Sequence, residues 1–146
     1  MTIAGVATNL VLIVGLAAAV LLPLRSRARA RKAEREWLAA SWESLILERD
    51  AARANGVYLV QAVNVYQLAQ RGSKAIIRWM DTGVTQDAWF WNWHIPPGSY
   101  LLVRGGAGYG PHNNNPNVLY VRPEEVHRVL PGHAPAVWQA QKQAHR

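Results

Sequence analysis

VYLVQAVNVYQL, residues 57–68, is the stretch on which the fold turns. Up to Asn55-Gly56 the apolar residues recur at the period of a helix; from Val57 onward they recur at the period of a strand. Asn55-Gly56 reads as the stop between the two, because glycine takes the left-handed conformation that ends a helix without steric cost.

Downstream, SKAIIRWM (73–80), TQDAWFWNW (85–93), SYLLVRG (99–105) and NVLYV (117–121) read as further strands. Turn signals separate them: Gln70-Arg71-Gly72, Asp81-Thr82-Gly83, Pro96-Pro97-Gly98 and a long loop from Gly105 to Pro116. Five short strands are too few for two sheets of any size. Closure of one bent sheet into a small barrel is the economical arrangement, since it removes exposed edges. The ending YVRPEEVHRVLPG adds a one-turn helix at 123–126 and a last strand at 127–130, and in this it resembles the finish of many SH3-like barrels. The resemblance is to a fold and carries no family motif.

Upstream, 28–54 reads as a helix. Leu38, Trp42 and Leu45, with Ile46 beside them, form one apolar stripe, and Glu34, Arg35, Glu43, Glu48, Arg49 and Arg53 supply the polar faces. Before it, IAGVATNLVLIVGLAAAVLLPL (3–24) carries no charged residue. As a helix this segment spans roughly 33 Å at about 1.5 Å per residue, against a hydrocarbon core of about 30 Å. RSRARARK follows at once, a charge order opposite to that of a cleaved signal peptide. The expectation is therefore a retained single transmembrane helix in the cell (inner) membrane. The positive-inside bias would put the N-terminus outside and the C-terminal domain in the cytoplasm. Arg25, Arg27, Arg29, Arg31 and Lys32 would then meet anionic lipid headgroups. A nucleic-acid role is disfavoured, because this run lacks interleaved aromatics and would be tethered to a bilayer. The last residues, after Pro135, suggest a short helix held by Val137 and Trp138.

The expected fold class is thus α+β: a transmembrane anchor (1–24), a basic juxtamembrane helix (25–55), a small mainly-β SH3-like barrel (56–132) and a C-terminal tail helix (133–146). Within 146 residues, 16 Lys+Arg face 9 Asp+Glu, a formal charge of +7. The absence of cysteine excludes disulfides, thiolate metal sites and cysteine nucleophiles. His94, His112, His127, His133 and His145 show no metal-binding spacing. No serine sits in a nucleophile elbow and no carboxylate pair stands out for acid–base work. The sequence leads us to expect no enzyme, cofactor or metal.

Two stretches stand out as recognition surfaces. In Trp89-Phe90-Trp91-Asn92-Trp93-His94, strand alternation puts Trp89, Trp91 and Trp93 on one face and Phe90, Asn92 and His94 on the other. Three indoles in a row fit core filling, a platform for an extended or Pro-rich peptide, or contact with a lipid interface. The loop 104–117 fails the spacing of a dinucleotide-binding glycine motif, but Tyr109, His112 and Asn114 are plausible contacts for a protein partner. The function expected from sequence is a membrane-anchored barrel that binds a protein partner through these residues. The alternative is a holin-like or accessory lysis protein of a GC-rich bacterium or its phage. In that reading the Ala/Gly-rich transmembrane helix is the active part and self-associates.

Overall fold

A computed structural model describes the backbone of residues 3–104, 106–107 and 117–145, with side chains described for 25–104 and 117–145. The chain divides into two compact units, Met1–Trp37 and Leu38–Arg146.

The first unit belongs to helix α1, which runs as one element from Ile3 to Ala54. Its described residues, 25–37, are exposed, and Lys32 pairs with Glu36 across one turn at 3.8 Å. Here the expectation needs correcting. Among the described residues no helix is long and apolar enough to cross a membrane, so a single-pass membrane protein is not supported. The proposed anchor at 1–24 lies outside the residues whose side chains are described, and it is not a separate element, because the helix passes Pro23 without interruption. The inner-membrane location and the orientation with the N-terminus outside go with it. Arg25, Arg27, Arg29, Arg31 and Lys32 are solvent-exposed positions on α1, and the lipid contact inferred for them depended on the anchor.

In the second unit α1 ends at Ala54, where Gly56 (φ 72°) turns the chain and the Val57 amide donates back to the Ala52 carbonyl at 2.9 Å. Among the described residues seven strands follow: β1 (Tyr58–Ala69), β2 (Gly72–Trp79), β3 (Thr85–Trp91), β4 (Tyr100–Val103), the two-residue β5 (Gly106–Ala107), β6 (Val118–Val121) and β7 (Val126–Leu130). A 3-10 turn at Pro123–Glu125 precedes β7, and helix α2 (Ala134–Ala144) closes the chain with Pro135 in its first turn, where a missing N–H costs nothing.

The strands lie in the order β5-β6-β3-β2-β1-β4-β7. All neighbours are antiparallel except β3 and β6, which run parallel with Trp89 beside Tyr120. The SH3-like barrel expected from the sequence is therefore corrected to a half-barrel sheet, because among the described residues β5 and β7 end the sheet without pairing with each other. Register shifts at Val63 and Tyr66 on β1, and between Leu102 and Val103 on β4, bend the sheet.

Curvature gives the sheet an inner and an outer face. Val60, Ala62, Ala75, Ile77, Ala88, Phe90, Leu101, Val103, Leu119 and Val121 pack the inner face, and Ile95 from the β3–β4 connection plugs it. Buried Ser73 fixes that connection: its hydroxyl donates to the Trp93 carbonyl at 3.0 Å and accepts from the Ile95 amide at 3.2 Å. Among the described residues, the outer face is covered by helices at one end. There Leu59, Leu102 and Leu130 meet Leu38, Trp42 and Leu45 of α1 and Ala134 of α2, with Tyr100 edge-on to Trp42 at 4.7 Å. The helical stripe is thus spent on the protein's own sheet.

Candidate functional site

The other end of the outer face carries the residues of interest. Alternation along β3 sends Ala88 and Phe90 into the inner core and leaves Asp87, Trp89 and Trp91 outside. Register then assembles cross-strand rungs: Lys74–Trp89–Tyr120 and Ile76–Asp87–Val118, with Gly72 beside Trp91. Among the described residues, Ile76, Trp89, Trp91 and Val118 belong to neither packed cluster.

Trp89 and Trp91 are half-buried and meet edge to face at 5.8 Å. The Lys74 ammonium lies over the Trp89 ring, 5.3 Å from its centroid, within cation–π range. Among the described residues the buried Trp89 indole N–H has no hydrogen-bond partner. Trp138, packed against the helical cluster, is in the same state, so this donor is not by itself the mark of a site. Beside the indoles, a groove of about 390 Å³ is lined by Ile76, Val84, Thr85, Gln86, Asp87 and Asn117. The Tyr66 hydroxyl donates to Asp87 Oδ1 at 2.8 Å. Loss of hydration, followed by that carboxylate, raises the Tyr66 pKa above its ordinary value. The described part of this surface therefore presents aromatic and aliphatic area beside the Lys74 ammonium and the Asp87 carboxylate, the latter already engaged by Tyr66.

Trp93 does not share this face. β3 ends at Trp91, Asn92 adopts φ 51°, and the next side chain swings to the inner cluster, where Trp93 meets Phe90 edge to face at 6.0 Å. The three-indole row expected from alternation is thus two indoles outside and one inside. Tyr109, His112 and Asn114 lie outside the described residues.

A second groove, about 250 Å³, lies between the end of α1 and the β2–β3 turn, lined by Arg49, Asp50, Arg53, Tyr58, Leu59, Met80 and Asp81. Arg53 pairs with Asp81 at 3.5 Å and Arg49 with Asp50 at 3.2 Å, so its cations are matched internally. His94 Nε2 donates to the Ala69 carbonyl at 2.9 Å and His145 Nδ1 to the Gln141 carbonyl at 2.7 Å, both acting as local clamps. Among the described residues no three His, Asp or Glu side chains gather around a point where a metal could sit.

Sequence reasoning passed over Tyr66, Lys74 and Ile76. The signal available was strand alternation: once Phe90 is assigned to the core, the residues paired with Trp89 and Asp87 must share the outside. Comparison with known protein families, curated proteins and solved structures finds no match to this chain.

Proposed function

We propose that this chain is a protein-binding module that receives an extended segment of a partner protein across the part of the outer face of β2, β3 and β6 that no described helix covers. The observation that carries this reading is the unequal treatment of one sheet face. Helices α1 and α2 cover Leu59, Leu102 and Leu130, while Trp89, Trp91, Ile76 and Val118 belong to no packed cluster.

Side chains of an extended partner repeat every second residue and would follow β3, placing one apolar group in the Ile76–Val84 groove and the next against the indoles. Tryptophan brings large contact area at low entropic cost, which is why it recurs among the residues that dominate binding energy. Lys74 adds preference for a carboxylate or backbone carbonyl near Trp89.

The test is selection of random displayed peptides against the full chain, followed by titration of the enriched sequences. Binding should weaken at least about tenfold, roughly 1.4 kcal/mol, in Trp91→Ala and in Lys74→Glu. Peptides that bind these variants as well as the parent chain, or no enrichment at all, would refute the assignment.

A further inference from the structure

We propose that Asn55-Gly56 is a self-modification site: water converts the Asn55 amide to a carboxylate through a cyclic imide, and the fold withholds the reaction until the end of α1 opens. The inference does not depend on binding at the outer face.

The chain has one Asn-Gly dipeptide and no Asp-Gly. Glycine leaves the amide nitrogen that follows the asparagine least shielded, because it has no Cβ. In the reaction the Gly56 nitrogen gives its proton to base and bonds to Asn55 Cγ, while the Cγ–Nδ2 bond breaks and ammonia leaves. Water then opens the five-membered ring. Cleavage of the bond from nitrogen to the side-chain carbonyl yields an aspartyl residue. Cleavage of its bond to the main-chain carbonyl yields an isoaspartyl residue, whose chain runs through Cβ. Either way one amide and one water become a carboxylate and ammonia, with no oxidation or reduction.

Asn55 is exposed, so water reaches it. Ring closure also needs both reacting groups free, and the fold engages both. The Gly56 amide donates to the Arg53 carbonyl at 3.0 Å, and Asn55 Nδ2 donates to the Ala51 carbonyl at 2.9 Å. The backbone between them is held as well: the Asn55 amide donates to the Ala52 carbonyl at 2.9 Å, and Arg104 Nη2 donates to the Asn55 carbonyl at 3.1 Å. Rotation into the cyclising geometry therefore requires local opening of the last helical turn, where opening costs least.

The two products act differently on the join between α1 and β1. The isoaspartyl form adds one main-chain carbon between Cα of residue 55 and the Gly56 nitrogen. That carbon lies inside the hydrogen-bonded rings closed by Gly56 on Arg53 and by Val57 on Ala52, so it disrupts both. The aspartyl form keeps the main-chain length. Its carboxylate meets the negative end of the helix dipole, with the Arg104 guanidinium at hand to offset it.

The full chain, incubated at mildly alkaline pH with and without denaturing urea, is mapped by mass spectrometry with separation of isoaspartyl peptides. Conversion at position 55 should be at least about tenfold faster in the unfolded chain, because folding removes the open conformers. Arg104→Ala should raise the folded rate about twofold to fivefold, the loss of one hydrogen bond, and leave the unfolded rate unchanged. The isoaspartyl form, isolated by ion exchange, should unfold at lower urea than Asn55→Asp. Absence of conversion in the unfolded chain, equal rates in the folded and unfolded chain, or a folded rate unmoved by Arg104→Ala overturns the proposal. So does an isoaspartyl form as stable as Asn55→Asp.

Discussion

Arg128 on β7 reaches across to α1 and donates from Nη1 to Glu48 Oε2 at 2.9 Å. The same guanidinium also donates to the Ser44 hydroxyl at 3.1 Å and to the Ser41 carbonyl at 3.2 Å, so one side chain ties the helix to the sheet in three places. The hydrogen bond from Arg128 is the main cause that lowers the Glu48 pKa, against a smaller opposing cost of lost hydration. Arg128→Ala should destabilise the fold by about 1–2 kcal/mol, read from chemical denaturation.

That pair also sets a pH dependence. A carboxylate whose folded pKa is depressed contributes stability that is present above its unfolded value, 4.5, and disappears as pH falls through the lower folded value. Glu48 is half exposed, at 52%, so screening limits the contribution to well under about 1 kcal/mol. The stability difference between the parent chain and Glu48→Gln should therefore be small at neutral pH and vanish in acid. A difference that grew on acidification would contradict the pairing.

Gly72 and Ser73 together hold the β3–β4 connection. Gly72 has φ 132°, and a Cβ there would collide with the Phe90 carbonyl, which belongs to the neighbouring strand and cannot yield. Gly72→Ala should therefore prevent folding, visible as loss of near-UV circular dichroism. Ser73→Ala removes a fully buried hydroxyl that serves one carbonyl and one amide, leaving both without it, for a cost of about 1–3 kcal/mol.

How far these features could be read from the chain differs by element. The stripe Leu38, Trp42, Leu45 and the Asn55-Gly56 stop are local patterns, and a local pattern is what periodicity reports. Strand positions follow for the same reason. Sheet closure was not legible, because it depends on which distant strands pair, and the parallel β3–β6 pairing leaves no mark in either strand's sequence. Arg128 and Glu48 stand 80 positions apart. Trp93 left its expected face because Asn92 adopts a positive φ, which asparagine tolerates better than most residues but does not announce. The apolar run at the start was read as a separate span, whereas the backbone carries it without a break into the charged part of α1.

Tyr66 gives an independent check on the outer face. Loss of hydration and the Asp87 carboxylate both raise its pKa, so its phenol should ionise at higher pH than an ordinary tyrosine in an ultraviolet titration. A raised folded pKa contributes stability that is complete below the unfolded value and is lost as pH rises through the folded one. Asp87→Asn should bring the Tyr66 transition back toward its ordinary position. An unchanged titration would mean that the 2.8 Å contact does not persist in solution.

Phe90 and Trp91 are neighbours in sequence with opposite duties, and the contrast tests the assignment of faces. Phe90 is 1% exposed within the inner cluster, so Phe90→Ala should cost about 3–5 kcal/mol through lost burial and the cavity left behind. Trp91 sits outside both clusters, and its identified ring contact is the edge-to-face pair with Trp89. That contact is worth about 0.5–1.5 kcal/mol beyond area burial, so Trp91→Ala should leave a cooperative unfolding transition close to that of the parent. Urea denaturation of the two variants side by side decides the matter. If Trp91→Ala proved as damaging as Phe90→Ala, the indole would be part of the core, and the outer face would lose its claim to be a binding surface. If Phe90→Ala were mild, the inner and outer assignments along β3 would be reversed.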